Sequence, residues 1–429
     1  MARLLVKDCI IIPITGEVIS EGVIAIEDDQ LFYVGPARGL PPEWVADEVI
    51  EARDRVALPG LINAHTHAAM TLLRNFADDL PLKTWLEEKI WPQEAKLERQ
   101  DIYWGTQLAL LEMLRSGTTT FADMYFHMEA VAEAVIASGM RACLARGLIG
   151  YQDRLGLRLR SAEAFARQWQ GAGEGRVTTM LGPHAPYTCP PEYLKKVMAA
   201  AERVGVGLHI HLAETRGEVE EMRRQYGRTP VELMESLGLF ELPAVAAHCV
   251  HLTPLEIEIL ARRGVGVAHC PESNLKLGSG IAPVSEMLSK GVKVGIGTDS
   301  AASNNNLDML EETRLAALLA KGLCQEPTLI PAARALQMAT LNGAAALGLE
   351  DKIGSLEAGK KADVVLINLK QPHLYPVYDP QASLVYAARG SDVETVIVNG
   401  KVLMYKGEVR TIDEDKVMAE VSRCIEKFS

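Results

Sequence analysis

The chain has 429 residues, 48% of them hydrophobic and 23% charged, an ordinary globular composition long enough for two or three units around a large core. A net charge of −12 excludes the basic footprint that nucleic-acid phosphates require, and the basic residues stand singly or in pairs, so no polybasic membrane patch forms. Seven widely spaced cysteines, odd in number and without a C-x-x-C pair, argue against both a disulfide framework and a thiolate zinc site.

Residues 1–15 are apolar but are broken by Lys7, Asp8 and Pro13 and carry no small-residue cleavage site, so no signal peptide is expected. No charge-free stretch reaches the ~20 residues of a membrane span. The expected location is the cytoplasm. Segments 3–12, 18–26 and 31–34 read as short strands punctuated by Thr15-Gly16, Asp28-Asp29 and Gly35-Pro36. The same register returns at 362–368, 395–398 and 401–405, with Asn399-Gly400 as a hairpin signal. Two separated β-rich ends predict one small β-sandwich built from residues 1–57 and 354–410. A helix is expected over 411–429.

Between the ends, residues 58–353, the pattern becomes strand then helix, repeated. Apolar strands end near His67, Asp123, Gly147, His184, His211, Cys249, His269 and Asp299. Helical spacing recurs over 99–116, 129–138, 191–204, 229–237, 255–263 and 283–290. Eight strands alternating with helices predict an α/β fold, a (β/α)8 TIM barrel, rather than an open sheet. Many of these strands end in a polar residue with chemical capability, which is where barrel enzymes keep their sites.

In Leu58-Pro59-Gly60-Leu61-Ile62-Asn63-Ala64-His65-Thr66-His67, two histidines stand at i and i+2 of a strand. Such positions share one face ~6–7 Å apart, so both imidazoles can reach one ion. His211 closes the fifth strand in Leu208-His209-Ile210-His211, and Glu214 follows where the chain leaves that strand. His209 lies deeper on the same face and reads as a satisfied core histidine. Asp299 ends a glycine-rich apolar strand, where a carboxylate is costly unless it is paired or bound to a metal. His65, His67, His211 and Asp299 thus form the expected ligand set; it suits Zn2+, with Fe2+ or Mn2+ also compatible. His248, ending strand six, is expected to steady the oxygen that attacks a substrate. His269 on strand seven stays open between packing and function; His251 and His373 read as structural. His127 and Glu129 form an H-x-E, but no P-C-x-x-C accompanies it, so a cytidine-deaminase site is excluded. H-E-x-x-H, G-x-S-x-G, G-x-G-x-x-G and Walker A sequences are all absent.

Together with His269-Cys270-Pro271-Glu272-Ser273-Asn274-Leu275, Gly297-Thr298-Asp299-Ser300 and the run Ile353 to Asp363, these motifs resemble the amidohydrolase superfamily over essentially the whole chain. Within it, Leu82-Lys83-Thr84-Trp85-Leu86 through Ile90-Trp91-Pro92-Gln93-Glu94 is similar to the 5′-methylthioadenosine/S-adenosylhomocysteine deaminase family. The resemblance implies that Glu94 accepts hydrogen bonds from ribose hydroxyls and that His184 contacts the nucleoside. It also implies that Arg146 and Arg158 meet the amino-acid carboxylate of S-adenosylhomocysteine, a task suited to the guanidinium fork. Each arginine could equally be a solvated or ion-paired surface residue, and Trp85 and Trp91 fit either stacking on adenine or packing of their loop.

The implied reaction is hydrolytic deamination of a small-molecule nucleoside. Glu214 protonates N1 as general acid, Asp299 takes the water's proton, His248 steadies the attacking oxygen, and one metal per subunit suffices. Binuclear relatives use a carboxylated lysine, and strand four (176–184) has none. Guanine, cytosine and triazine hydrolases of the same superfamily remain the alternative substrates. Retention of all four ligands argues against a catalytically silent barrel, and a homo-oligomer stays open.

Overall fold

The computed structural model describes residues 2–428. Seventeen strands follow in chain order: β1 (Arg3–Ile11), β2 (Ile19–Glu27), β3 (Gln30–Gly35), β4 (Glu48–Glu51), β5 (Arg55–Pro59), β6 (Leu61–Thr66), β7 (Thr118–Tyr125), β8 (Arg141–Leu148), β9 (Val177–Pro183), β10 (Gly207–Leu212), β11 (Ala244–His248), β12 (Gly266–His269), β13 (Lys293–Ile296), β14 (Val364–Asn368), β15 (Val393–Val398), β16 (Lys401–Tyr405) and β17 (Glu408–Val409). Strands β6 to β13 close into a parallel barrel in the order β6-β7-β8-β9-β10-β11-β12-β13 and back to β6. Such strands are covered on both faces, which is why they read as apolar runs rather than alternations. β7, for example, is buried at all eight of its positions. The expected (β/α)8 TIM barrel is therefore the observed fold, and each expected strand terminus lies within a few residues of its place.

Two of the covering helices start within a residue of the expected stretches 229–237 and 255–263. Thr229 and Thr253 each cap a helix whose first residue is proline, at Pro230–Leu237 and Pro254–Arg263. In both, the threonine hydroxyl takes the N3 amide and the N3 glutamate takes the threonine amide.

The two chain ends form one sheet of nine strands, β17-β16-β15-β14-β5-β1-β2-β3 with β4 on β1. The expected sandwich is thus a single hydrogen-bonded sheet. Its first-half edge comes back to the second half through an antiparallel bridge of Gln30 with Lys361, and Leu4, Val6, Ile24, Ile26, Val364 and Ile397 share one core inside it. The period of two assigns the faces. On β14, Val364 and Leu366 enter this small core while Val365 and Ile367 join the barrel's larger one. β5 and β15 do the same with Ala57 against Val56 and Leu58, and Ile397 against Val396 and Val398. The helix Glu414–Ile425 packs on Arg99–Arg115 outside the barrel. Among the described residues no helix is long and apolar enough to cross a membrane.

Candidate active site

The carboxyl ends of β6, β10, β11 and the segment after β13 converge on one point. His65 lies in β6 and His67 just beyond it, with ring centroids 4.9 Å apart. Ligand atoms of His65, His67 and His211 all fall within 4.8 Å of one another, and so do those of His65, His248 and Asp299. Asp299 is delivered there by backbone pairing: its amide donates to the His65 carbonyl at 3.0 Å, and Thr66 Oγ1 donates to the Asp299 carbonyl at 2.8 Å. Its Oδ1 then lies 3.6 Å from His65 Nε2 and 3.4 Å from His67 Nε2. The hydroxyls of Ser273 and Ser303 occupy the other oxygen, at 2.6 and 2.8 Å.

The outer nitrogens of the imidazoles are tied down. His67 Nδ1 donates to the Met124 carbonyl and His211 Nδ1 to the His184 carbonyl. That leaves each Nε2 as the lone-pair nitrogen, 3.2 Å apart. His65 Nδ1 is 2.8 Å from His209 Nε2, while His65 Nε2 is fully buried with no hydrogen-bond partner among the described residues. Burial holds His65 down at about 4 and His211 well below its usual value, so both are neutral near pH 7. Burial works against ionisation of Asp299, yet His65 and His67 hold its carboxyl well below the usual range. An orphaned buried nitrogen on His65, facing the lone-pair imidazoles of His67 and His211 and an ionised carboxylate, fits a divalent cation.

Glu214 and His248 stand beside this cluster, both at most 5% exposed, with Oε2 and Nε2 3.9 Å apart. Burial pushes the Glu214 carboxyl up. Burial pulls His248 down, but Glu214, Asp299 and a hydrogen bond with Asn274 together carry it above its ordinary value. That bond joins His248 Nδ1 to Asn274 Oδ1 at 2.9 Å and leaves Nε2 turned towards Glu214. Ala213, His248 and Asp299 adopt left-handed backbone at φ 51°, 71° and 58°, a cost concentrated at the site.

A cavity of about 540 Å3 opens over these residues, within the range of small-molecule sites. Glu94, Arg146, Arg158 and His184 all line it. Glu94 accepts from Tyr125 Oη at 2.6 Å, and burial raises its carboxyl although Tyr125 opposes this. His184 shares its Nδ1 with Thr188 Oγ1 at 3.0 Å, and burial takes it down to about 3. Arg146 is ion-paired with Glu129 at 2.8 Å, and Arg158 is exposed at the rim. Trp85, on a π-helical turn over Trp85–Ile90, donates to the Ala77 carbonyl and so packs its own loop while one face borders the cavity. Trp91 also lines the cavity. His269 is buried on β12 and does not line it.

Some contributors have no signal in spacing. His209 is more than a core residue, because it supports His65. Ser273 and Asn274 lie in the His269-to-Leu275 motif, whose contacts only the fold reveals; Ser303 and Tyr125 carry no motif at all.

Fold and site define a barrel hydrolase with a metal centre at the carboxyl ends of its strands. Residues 56–403 match the Amidohydrolase family, and the chain belongs to it. It is 67% identical, over the whole of both chains, to the 5-methylthioadenosine/S-adenosylhomocysteine deaminase of Moorella thermoacetica. Among solved structures it is similar to an adenosine deaminase from Xanthomonas campestris with bound zinc, at 36% identity and TM-score 0.96, covering 99% of this chain and 98% of that one. It is also similar to an atrazine chlorohydrolase of Arthrobacter aurescens complexed with zinc, at 28% identity and TM-score 0.91, covering 98% and 100%. The family, these neighbours and the histidine cluster support a metal cofactor.

Proposed function

We propose that the chain is a zinc-dependent deaminase that converts 5′-methylthioadenosine to 5′-methylthioinosine and S-adenosylhomocysteine to S-inosylhomocysteine, releasing ammonia. The observation that carries this reading is the full-length 67% identity to the Moorella relative of that name. His65, His67, His211 and Asp299 would hold the metal, with Fe2+ or Mn2+ as other cations of similar ligand demand. When bound, such a cation lowers the pKa of a water from ~15.7 towards ~7. Supporting the single-metal form, β9 contains no lysine that could bridge a second ion.

The chain's own groups then handle the protons. Asp299 takes one proton from the attacking water as its oxygen bonds to C6 of adenine. Glu214, whose carboxyl burial favours in the protonated form, gives its proton to N1 and makes C6 electrophilic. His248 holds the new hydroxyl. The C6–N bond breaks as Asp299 passes its proton to the leaving amine, and the hydroxyl proton returns to Glu214. Water and the amino nucleoside become ammonia and a 6-oxo nucleoside, and both carboxyls end as they began. Glu94 would accept from the ribose hydroxyls, His184 would contact the nucleoside, and Arg146 and Arg158 would take the substrate carboxylate, Arg146 by exchanging Glu129 for it. The same reading divides the chain into a composite sheet (1–57 with 354–410), a catalytic barrel (58–353) and a C-terminal helix (411–429). It places the chain in the cytoplasm, as a monomer or a homo-oligomer.

The test is ammonia release by the zinc-loaded protein on methylthioadenosine, S-adenosylhomocysteine, adenosine, guanine, cytosine and atrazine. The two thioether nucleosides should have the highest kcat/KM. Glu94→Ala should lower kcat/KM on them by roughly tenfold to a hundredfold, the worth of hydrogen bonds to a charged group. Preference for a free base or a triazine would overturn the substrate assignment.

A further inference from the structure

Glu218 sits in the first turn of the helix Arg216–Tyr226, at the N3 position after the capping residue Thr215. At two other threonine-capped helices of this chain the N3 glutamate closes back on the cap: Glu232 takes the Thr229 amide and Glu256 the Thr253 amide. Glu218 does something else. It reaches past the cap, and its Oε1 accepts the Ala213 amide at 2.9 Å while its Oε2 accepts the Glu214 amide at 2.8 Å. It is only 5% exposed.

The turn it grips is an unfavourable one. Ala213 is left-handed without being glycine. Its carbonyl accepts the amides of Val250 and His251, each at 3.0 Å, and the Leu212 carbonyl accepts the Cys249 amide at 3.0 Å. The exits of β10 and β11 are thereby laced together, with His248 and Cys249 also left-handed on the facing side. Glu218 adds to the lacing by taking the Ala213 and Glu214 amides. These contacts together set the Glu214 carboxyl 3.9 Å from His248 Nε2.

We propose that Glu218 is a positioning residue for Glu214: its two carboxylate oxygens clamp the Ala213 and Glu214 amides and aim the Glu214 side chain at the substrate. Both partners are donors, so a carboxylate fits and an amide does not. Glutamine would offer one acceptor and turn its NH2 against the other N–H. The inference rests on the role of Glu214 proposed above.

The experiment compares Glu218→Gln, Glu214→Gln and Glu232→Ala in the zinc-loaded enzyme, reading kcat, KM, bound metal and melting temperature. A misplacement of about 1 Å costs about 10²-fold, so Glu218→Gln should lose roughly tenfold to a hundredfold in kcat. KM should stay within about twofold and metal content should stay at the parent level. Glu232→Ala, which breaks an ordinary capping box, should lower the melting temperature and leave kcat alone. Unchanged kcat in Glu218→Gln, or a loss matched by loss of metal, overturns the proposal. If Glu218→Gln does not fold, Glu218→Asp decides. It keeps the charge but is one methylene too short to span both amides, so lowered kcat supports the clamp and parental kcat overturns it. An active Glu214→Gln would instead overturn the role of Glu214, whatever Glu218 does.

Discussion

His65 cannot be understood from its own position. Its Nε2 faces Asp299 and its Nδ1 faces His209, so binding a cation through Nε2 requires Nδ1 to carry the hydrogen and His209 Nε2 to accept it. Ligand and proton-handling roles separate by substitution. On the proposed roles, Asp299→Ala takes away both a ligand and the base, and should leave the purified protein short of metal with kcat reduced by about 10⁴-fold or more. Glu214→Gln touches no ligand and should keep full metal while losing about 10²- to 10⁴-fold in kcat, the usual worth of a general acid. Metal analysis beside steady-state kinetics distinguishes the two patterns. Parental turnover in Glu214→Gln would remove the residue from the chemistry. The chemically capable residues were legible because a strand repeats every two residues and ends at a barrel mouth: His65, His67, His211, Glu214 and Asp299 all sit at such ends. Their supports were not. His209 meets His65 across 144 residues of chain, and Ser303 meets Asp299 from a loop with no regular spacing.

At the scale of elements, the apolar runs located the eight barrel strands, and helical spacing located six of the helices around them; Leu157–Trp169, Arg216–Tyr226 and Met309–Cys324 were not among those named. The π-helical turn at Trp85–Ile90 and the continuity of the small sheet escaped, because they depend on tertiary packing rather than on local pattern. One seam of the barrel deserves the closest test. β13 pairs with β6 only through Ile296 and Asn63, with a further bridge from Thr66 to Asp299. Gly297 lies between those contacts, and a Cβ there would come within 2.9 Å of both the His65 amide nitrogen and the His65 carbonyl oxygen. Backbone cannot retreat as a flexible side chain would. Gly297→Ala should therefore push Asp299 out of register with His65 and His67. The expected result is a folded protein whose zinc affinity falls about tenfold to a hundredfold, as for loss of a ligand's support, measured by competition with a chelator. Parental affinity would show that the seam absorbs the extra carbon.

For the whole molecule, the barrel and the sheet share more than apolar contact. Arg141 opens β8 at the end of the barrel opposite the cavity, and it is only 4% exposed. Its Nε and one terminal nitrogen reach the two oxygens of Asp363 at 2.9 and 3.1 Å, and that same nitrogen reaches Asn399 at 3.2 Å. Asp363 also accepts the Asn399 amide at 2.7 Å, so one carboxylate ties the barrel floor to the start of β14 and to the β15–β16 turn. A buried pair of this kind adds little over apolar packing, yet removing one partner strands the other's charge. Asp363→Ala should cost about 3–5 kcal/mol. Arg141→Met combined with Asp363→Leu should recover much of that loss, because no charge is then left buried. Thermal melting of the two variants measures the difference, and metal content and KM should match the parent in both, since the pair lies a barrel's length from His65. Equal destabilisation by the single and double variants would mean that the ion pair itself, rather than relief of a stranded charge, holds the two parts together.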